Sequence, residues 1–564
     1  MLKIKSIFVS LLAVAALASC SNENDDITDG GKQKDYDVAY MSVSVAVPQG
    51  ARTRAAGSSG ETDALDSETK INEIYLILFD DQKKVVKDEK ATLYYTLLKA
   101  SDSELSDDGT SPLVPIRVSL DAKYLLAVVN PGTELKKHLA AKVVENATYG
   151  TINVGFNVAE DTGEDDNLYL IKEVANVAAG EHGCTMINAG AYNDITPNEW
   201  NDDCLVDVSG SIVDASKYKT DTEAKEAAVA NKATLQVERL AAKMAVTLKG
   251  AAGIGIDVLP AGAKFEFTSW AIDYVNSKFF PFAKKTKLQA THTGSAYKSN
   301  FYTEDPNFAD PNHLTGIVNN KIVAYNPKAK WYDANEETGV DEEDKVIAYC
   351  TENTMAAADQ KFGAATRLVL KANYIPNTTD YTIGVDWYQT LLNGVYTNYE
   401  NFDKLKTAYS AAKGKNLDDR DAEEKALVEF CEAFKTKLDT EFPTSIGLIA
   451  NFAALTQAHL DALNITNGGE VVKGTGIRWF QKSLNYYYYQ VRHDNSDLGY
   501  MEYGKYGVVR NNYYTLRLTK VNGAGTPWYP DVEEPEEEID KKGAFLHFEI
   551  DVAPWISWGT DFEI

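Results

Sequence analysis

Two runs of alternating apolar and polar residues near the C-terminal end of the chain constrain its fold more than any other feature. In residues 546–552, and again in residues 556–564, apolar side chains recur on one face. A period of two is typical of a β-strand with one face that needs burial. In the second run this face consists of Ile556, Trp558, Phe562 and Ile564. The pattern therefore predicts two strands, separated by Pro554.

The segment before these strands, residues 523–542, combines prolines with a cluster of glutamates. Proline and like charge keep a chain extended and solvated. We therefore expect residues 526–564 to form an acidic spacer followed by a terminal strand. Such a strand could pair along a sheet edge of another molecule. It could equally be the last strand of its own sheet, because chain termini are often docked in this way.

The same period of two occurs near the other end of the chain, in residues 39–47. One face of this predicted strand is apolar and requires burial. The loop that follows, residues 50–60, has a small and flexible composition and carries Arg52 and Arg54. Exposed tips of this kind are preferred sites of proteolytic nicking. The apolar face of the strand consists of Met41, Val43, Val45 and Val47.

Between these ends, short runs rich in β-branched and aromatic residues predict many strands. Residues 134–143 and 217–232 have helical composition, and residues 398–463 carry a longer helical pattern of apolar residues. A glycine-rich stretch just after residue 249 predicts turns at a domain junction. We therefore expect a mainly β protein with two domains, residues 55–250 and 251–525, and a helical insertion, residues 398–463, in the second.

The first residues carry an export signal. Lys3 and Lys5 precede an apolar run that ends in Leu-Ala-Ser-Cys at Cys20, and the run is too short to remain as a membrane-spanning helix. This ending resembles a bacterial lipobox, whose cysteine becomes the lipidated first residue of the mature protein. The acidic residues 21–26 resemble the surface-export signal of Bacteroidetes lipoproteins. The alternative is an ordinary signal peptide in which Cys20 is incidental.

The sequence contains no compact catalytic or metal-binding motif. Its 7 histidines form no HExxH pattern, no GxSxG is present, and the remaining cysteines lack zinc-site spacing. We therefore expect no enzyme, no cofactor and no metal, although glycosidase carboxylates also come without a compact motif. We expect buried thiols, with Cys184 and Cys204 as the pair to test for a disulfide. The net charge of −27 argues against nucleic acid as a partner.

Two further features have alternative interpretations. Tyr486–Tyr489 would place two rings on each face of a strand, either as a packed aromatic wall or as a glycan site. The acidic runs at residues 163–166 and 341–344 are typical of solvated loops, and weak calcium binding is the alternative.

Several of these segments, in this order, resemble the Mfa-type fimbrillins, which are type V pilins and major fimbrial subunits of Bacteroidetes. The segments are the lipobox, the first strand with its Gly-Ala-Arg-Thr-Arg-Ala loop, the stretch Val-Glu-Arg-Leu-Ala-Ala-Lys-Met at 237–244, the strand pattern at 508–518, and a tail of the form strand-Pro-Trp-strand. The resemblance implies two transthyretin-like β-sandwich domains in tandem. Residues 398–463 depart most from the pattern of the family.

The resemblance also implies an assembly mechanism. Residues 1–20 would be the signal peptide, and residues 21–54 a tether and a removable first strand. A trypsin-like, arginine-specific protease would cut the lipid-anchored precursor after Arg54, before Ala55, with Arg52 as the alternative. The C-terminal donor strand of a neighbouring subunit would then fill the vacated groove. Ile556, Trp558, Phe562 and Ile564 are larger than the departing methionine and valines, so we expect the exchange to be favourable.

By this resemblance the protein is a stalk subunit of a surface fimbrium that supports adhesion and virulence. Its partners would be further copies of itself, accessory anchor and tip subunits, the protease, and outer-membrane lipid before cleavage. One alternative is an anchor or tip subunit; an anchor should lack the cuttable loop, and a tip should lack the donor tail. The other alternative is a surface glycan-binding lipoprotein, which an open groove lined with aromatic residues in the helical region would favour.

Overall fold

Strands dominate the computed structural model of the chain, as the alternating patterns predict. The structure describes residues 38–46, 66–100, 114–157, 173–176, 183–188, 204–247, 259–276, 278–285, 302–308, 322–323, 332–333, 347–493, 499–530, 536–541 and 546–554. The mainly β fold predicted from the sequence is confirmed.

Many of the strands are short. Those of the N-terminal half are β1 (Ala39–Met41), β2 (Val43–Ala46), β3 (Glu73–Phe79), β4 (Val85–Val86), β5 (Thr96–Lys99), β6 (Ile116–Val118), β7 (Tyr124–Val129), β8 (Phe156–Asn157), β9 (Ala175–Asn176), β10 (Gly183–Cys184), β11 (Met186–Asn188), β12 (Val206–Asp207), β13 (Val213–Asp214), β14 (Ala233–Arg239) and β15 (Ala242–Thr247). Those of the C-terminal half are β16 (Lys264–Asp273), β17 (Val275–Asn276), β18 (Lys278–Phe279), β19 (Lys284–Lys285), β20 (Thr303–Glu304), β21 (Ile322–Val323), β22 (Tyr332–Asp333), β23 (Ile347–Cys350), β24 (Arg367–Ile375), β25 (Trp387–Leu392), β26 (Val395–Tyr399), β27 (Ile477–Phe480), β28 (Leu484–Gln490), β29 (Asn512–Val521) and β30 (Leu546–Pro554).

The helices are few, and most are short. They are α1 (Asp66–Thr69), α2 (Thr133–Lys142), α3 (Tyr149–Ile152), α4 (Asp221–Ala230), α5 (Phe402–Gly414), α6 (Ala422–Glu441), α7 (Gln457–Asp461) and α8 (Gly468–Val471). Within the ranges that the structure covers, no helix is both long and apolar enough to cross a membrane. The helices expected at 134–143 and 217–232 are present as α2 and α4.

Two sheets of the N-terminal half face one hydrophobic core. The larger sheet has the order β2-β14-β11-β7-β3-β4, and the smaller has the order β13-β1-β6. The first strand of the chain contributes to both, because β1 lies in the smaller sheet and β2 in the larger. The predicted strand at 39–47 is therefore present, but it is divided at Ser42.

Two further sheets form the C-terminal half, with the orders β23-β15-β29-β30 and β22-β16-β24-β28. The stretch at 237–244 is divided between two strands, since β14 ends at Arg239 and β15 begins at Ala242. The two strands belong to different sheets, and the ladder partners change at Leu240–Ala241. The pairing of β15 with the C-terminal half thus begins upstream of the boundary expected at residue 250.

The expected helical insertion is a small unit with a core of its own, which we call the insertion subdomain (residues 387–480). It contains the three-stranded sheet β26-β25-β27 with α5 and α6 packed on one face. Within the helical pattern predicted at 398–463, α5 and α6 are present. The prediction was wrong for most of residues 446–463, where the helical elements are a 3-10 turn at Phe452–Ala454 and the five-residue α7. The apolar residues Ile446, Phe452 and Leu460 of this stretch are nevertheless buried.

Candidate functional site

The first strand of the chain occupies a slot between other strands. Its β1 part has a neighbouring strand on each side. β1 pairs antiparallel with β13 on one side and with β6 on the other. Beyond Ser42, β2 pairs in parallel with β14. A segment that contributes to both sheets holds them together, so its removal would open the core beneath it.

The inner face of this strand lies in the main hydrophobic core. Met41, Val43 and Val45 are no more than 1% exposed, as expected from the alternating pattern. Val47, the fourth residue of the predicted apolar face, lies outside the described residues. Full burial of side chains of this size stabilises a fold by roughly 1.5–3 kcal/mol each.

The outer face of the strand is also covered, which the sequence pattern did not predict. Val38 and Tyr40 pack with Val213 and Ala215 and with Ala224 and Ala228 of α4. The segment from β13 through α4 to β14 therefore passes over the strand. Ala215 and Ala233, at the two sides of this crossing, donate backbone hydrogen bonds of 2.9 Å to the carbonyls of Val38 and Ser42.

Tyr40 is the central contact between the strand and α4. Its hydroxyl donates to Asp221 Oδ2 at 3.1 Å, and the ammonium of Lys225 lies 5.2 Å from the centre of its ring. Burial raises the pKa of the Tyr40 hydroxyl, and the carboxylate of Asp221 raises it further. The hydroxyl thus remains a hydrogen-bond donor, and the ring is 2% exposed.

Helix α4 forms because its sequence has a capping residue, acidic residues in the first turn and several alanines. The Thr220 side chain accepts a hydrogen bond from the Glu223 backbone at its N-terminal end. Asp221 and Glu223 place negative charge in the first turn, where the helix dipole favours it. The small residues Ala224 and Ala228 allow the helix to approach the strand closely.

The remaining outer positions of the strand accept only small side chains. Ser42 and Ser44 are 0% and 5% exposed. The Ser44 hydroxyl lies 3.1 Å from Thr234 Oγ1 of β14 and forms a hydrogen bond with it. Neither position has room for a long or charged side chain without displacing its neighbours.

The predicted cleavage and lipidation residues lie outside the described residues. These are Cys20, Arg52, Arg54 and Ala55. The described chain ends at Ala46 before this loop and resumes in α1.

The segment that follows the loop is anchored at the junction of the two halves. Glu68 of α1 is buried and accepts from the Lys243 ammonium at 3.1 Å and from the Tyr349 hydroxyl at 2.5 Å. Burial raises the pKa of Tyr349, and Glu68 raises it further. The chain after the loop is therefore held firmly, independently of the strand before it.

At the other end of the chain, β30 forms a long antiparallel ladder with β29 that runs from Leu546 to Pro554. This strand is the first of the two predicted from the alternating pattern. The predicted donor residues Ile556, Trp558, Phe562 and Ile564 follow it and lie outside the described residues.

The expected acidic spacer differs from the structure where it is described. Thr526 exchanges backbone hydrogen bonds with Tyr486, and the Pro530 carbonyl accepts from Arg367 at 2.7 Å. Ile539 is buried, and Asp540 forms an ion pair of 2.7 Å with Lys505. Apolar and paired side chains between the glutamates dock this segment on the domain, so it is not a solvated linker.

The tyrosine run in β28 forms a packed aromatic wall, one of the two interpretations of the sequence. Tyr486 meets Tyr529 edge to face, and Tyr488 meets Phe362 in the same way. Tyr487 is buried against Phe265. The rings therefore serve packing between strands and do not line an open glycan groove.

Of the residues considered as disulfide partners or metal ligands, some lie within the described residues and others do not. Cys184, Cys204, Cys350 and Cys431 are buried thiols, as expected, and burial raises the pKa of Cys184 to about 12. The acidic runs at 163–166 and 341–344 lie outside the described residues. Among the residues that are described, no cluster of His, Cys, Asp or Glu could hold a metal ion.

A cavity of about 290 Å³ lies in the insertion subdomain, between the β25–β26 hairpin and helices α5 and α6. Its walls are mainly aliphatic and alanine side chains, with Tyr399 and Phe430 as the aromatic members. Glu423 and Glu424 also line it.

Comparison with known proteins identifies the C-terminal part of the chain. Residues 478–561 match the family described as "Major fimbrial subunit protein type IV, Fimbrillin, C-terminal". The match includes β28, β29 and β30. Over these residues the chain is similar to fimbrillins, and the resemblance predicted from the sequence is confirmed there. No curated protein matches the chain at a significant level.

Several solved structures resemble the chain at low sequence identity. A fimbrilin of Porphyromonas gingivalis is 12% identical, with 92% of this chain and 97% of that chain covered and a TM-score of 0.33. The tip fimbrial protein Mfa3 of the same organism, with a C-terminal truncation, is 9% identical, with 92% and 100% covered and a TM-score of 0.30. A fimbrial assembly protein of Parabacteroides distasonis is 12% identical, with 64% and 85% covered and a TM-score of 0.26.

Proposed function

We propose that this fimbrillin-like chain is a structural stalk subunit of a cell-surface fimbrium, which polymerises by protease-triggered donor-strand exchange and supports adhesion. The observation that carries the proposal is the position of the first strand. It fills the core of the N-terminal half, and it is followed in the sequence by a loop with Arg52 and Arg54. A strand that completes a core and can be cut from its own chain is suited to replacement by another copy.

In this proposal the precursor is anchored to the outer membrane through lipid on Cys20. A trypsin-like protease cuts after Arg54, or alternatively after Arg52. Both arginines follow the strand in the sequence, so the cut separates the anchor and the strand from the rest of the chain. The anchored ion pair of Glu68 and Lys243 supports this proposal, because the chain beyond the loop stays fixed when the strand leaves.

The donor is the C-terminal strand, residues 555–564, of a second copy. Its Ile556, Trp558, Phe562 and Ile564 offer on the order of 6–12 kcal/mol of gross burial. Ordering the tail and the loss of translational freedom offset part of this gain. A donor at one end and a slot at the other give a head-to-tail contact that does not close, and such contacts build filaments.

The cuttable loop and the donor tail together favour the stalk over an anchor or a tip. A glycan-binding role has less support, because tyrosines of β28 pack against other rings of the domain and the cavity of the insertion subdomain is lined mainly by aliphatic and alanine side chains.

Mass spectrometry of protein sheared from cells tests the proposal. We expect the first residue to be Ala55, and we expect a variant that lacks residues 555–564 to be cut at the same bond but to remain unpolymerised. A first residue of Cys20 in the polymer, or filaments of normal length from the tail variant, would contradict the proposal.

A further inference from the structure

We propose that helix α4 recognises the strand in the slot and selects an aromatic hydrogen-bond donor at the position of Tyr40. This inference rests on the proposed function, since it concerns which strand of a second copy can take the vacated place. It adds two specificity-determining contacts on the outer face of the slot, one from Asp221 and one from Lys225, to the side chain at the position of Tyr40. Burial of the inner apolar face alone would not discriminate between strands in this way.

The outer face of the slot encloses the Tyr40 side chain. Its ring packs in a cluster with Val213 and with Ala224 and Ala228 of α4, so a small aliphatic side chain in its place would leave a cavity. The Asp221 carboxylate accepts a hydrogen bond from the Tyr40 hydroxyl at 3.1 Å. A side chain without a donor would leave this carboxylate without that hydrogen bond. The Lys225 ammonium, 5.2 Å from the ring centre, adds a cation–π attraction.

Two kinds of side chain combine an aromatic ring with a hydrogen-bond donor, tyrosine through its hydroxyl and tryptophan through its indole N–H. Tryptophan is also the strongest partner of a cation over a ring. Phenylalanine fills the space but offers no donor, and serine offers a donor but leaves the space empty.

The next two outer positions add a size limit. Because Ser42 and Ser44 are buried and close to β14, a replacing strand needs small, uncharged residues there. An acidic side chain at either position would lose its hydration on burial.

The tail of a second copy satisfies this pattern in one register. In the sequence, the positions of residues 555–564 that alternate with the predicted apolar face are Trp555, Ser557, Gly559, Asp561 and Glu563. With Trp555 in the place of Tyr40, Ser557 and Gly559 take the places of Ser42 and Ser44. The two acidic residues then lie beyond Ser44. Shifting the tail by two residues would place Asp561 in the buried position of Ser44.

Peptide binding to the emptied slot tests the inference. The described fold ends at Pro554, so a variant that lacks residues 555–564 keeps every described element. This variant is cut with an arginine-specific protease and mixed with fluorescent peptides, and binding is followed by anisotropy. The parent peptides are residues 37–47, with Tyr40, and residues 553–564, with Trp555.

We expect Tyr40→Ser to weaken binding of the first peptide at least about tenfold, since an enclosed ring is lost. Tyr40→Phe should weaken it between about threefold and tenfold, because one hydrogen bond to a charged group is lost. Tyr40→Trp should bind at least as tightly as the parent. In the tail peptide, Trp555→Ser should weaken binding by a factor similar to that of Tyr40→Ser.

A double-mutant cycle separates recognition by α4 from general packing. Asp221→Ala in the protein should weaken binding of the parent peptide by the same factor as Tyr40→Phe does. The same change in the protein should leave binding of the Tyr40→Phe peptide unaltered. Equal effects of Asp221→Ala on both peptides would overturn the assigned contact.

Two other outcomes are distinguishable. If Met41→Ser abolishes binding while Tyr40→Ser does not change it, the inner face alone selects the strand, and the inference fails while the exchange stands. If no peptide binds, including both parents, the proposed exchange fails and the inference fails with it.

Discussion

Asp305 is a buried carboxyl whose surroundings favour its protonated form. Burial raises its pKa from 3.8 to about 7, and the nearby carboxylate of Glu352 also raises it. The backbone N–H groups of Thr354 and Asn307 donate to Asp305 at 2.6 and 2.7 Å and lower the pKa in part. The carboxyl therefore links the loop that contains it to the segment after β23. The free energy of burying it depends on pH.

We predict that the stability contributed by protonated Asp305 is lost as the pH rises from about 4 to about 7. In the folded state the pKa of Asp305 lies above its unfolded value, so the folded state binds more protons in this window and is favoured at its lower end. A tenfold difference in proton affinity between the two states corresponds to about 1.4 kcal/mol. Urea unfolding at pH 5 and pH 8 measures the effect. In Asp305→Asn the difference between the two midpoints should shrink, and an unchanged difference would contradict the assignment.

The second prediction at this scale concerns the two arginines of the loop after the first strand. Arg52→Ala together with Arg54→Ala should leave a lipidated precursor that does not polymerise, because the first strand stays covalently joined and fills its own slot. Immunoblots of cell extracts measure the polymer ladder and the size of the monomer. Arg420→Ala is a suitable control, since Arg420 lies in the insertion subdomain and donates to the carbonyls of Lys413 and Lys415 there. A normal ladder from the double variant would exclude cleavage at this loop.

The inner residues of the first strand could be predicted from the sequence, whereas its outer residues could not. Alternation identifies Met41, Val43 and Val45 because their burial follows from local chemistry. In the alternating pattern, Tyr40 lies on the face that is expected to be exposed to solvent. It is buried beside Asp221, which lies 181 residues later in the chain, and no local pattern contains that contact.

At the scale of single elements, α6 depends on a capping box at its start. The Glu424 N–H donates to the Asp421 side chain at 2.8 Å, and the Asp421 N–H donates back to Glu424 at 3.3 Å. We predict that Asp421→Ala destabilises the insertion subdomain by about 1 kcal/mol. Glu429→Ala removes the same charge from an exposed position within the helix and is the matched control. Hydrogen exchange of α6 amides measures both variants, and equal protection in the two would contradict the prediction.

Element boundaries were predictable where one local signal dominated. The acidic start of α6 and its apolar spacing indicate a helix, and the alternation of residues 546–552 indicates β30. The stretch at 446–463 was misassigned because its apolar spacing suits both a helix and a buried irregular chain. Its polar side chains decide the outcome, since Asn451 and Thr456 each cap a separate short turn.

At the scale of the whole molecule, the insertion subdomain has a hydrophobic core of its own. Its core is distinct from the main core, and its two ends meet where Trp387 stacks on Phe480 with ring centres 3.9 Å apart. Trp387 and Phe480 are also directly paired between β25 and β27. The insertion subdomain could thus be removed without cutting the sheets of either half.

We predict that replacing residues 388–479 with an Asn-Gly turn leaves polymerisation intact. A two-residue turn spans a directly opposed antiparallel pair, and the first strand and β30 lie elsewhere in the fold. Calorimetry should show loss of one unfolding transition, and electron microscopy of cleaved protein should show filaments. A variant that folds but forms no filaments would assign the insertion a role in assembly.

The mainly β fold could be predicted from the sequence, but the course of the segment between β29 and β30 could not. The docked segment between β29 and β30 has the composition of a solvated spacer because its glutamates and prolines outnumber the few residues that anchor it. Two residues of the segment dock it on the domain, since Ile539 is buried and Asp540 forms an ion pair with Lys505.

The crossing of α4 over the first strand has a mechanical consequence. β1 has a hydrogen-bonded neighbour on each side, and these bonds lie perpendicular to its axis. In a filament joined through this slot, tension would pull the inserted strand lengthwise and load all of these bonds at once. The helix above blocks the alternative of peeling them one at a time. A joint of this kind would resist force because many hydrogen bonds must break simultaneously.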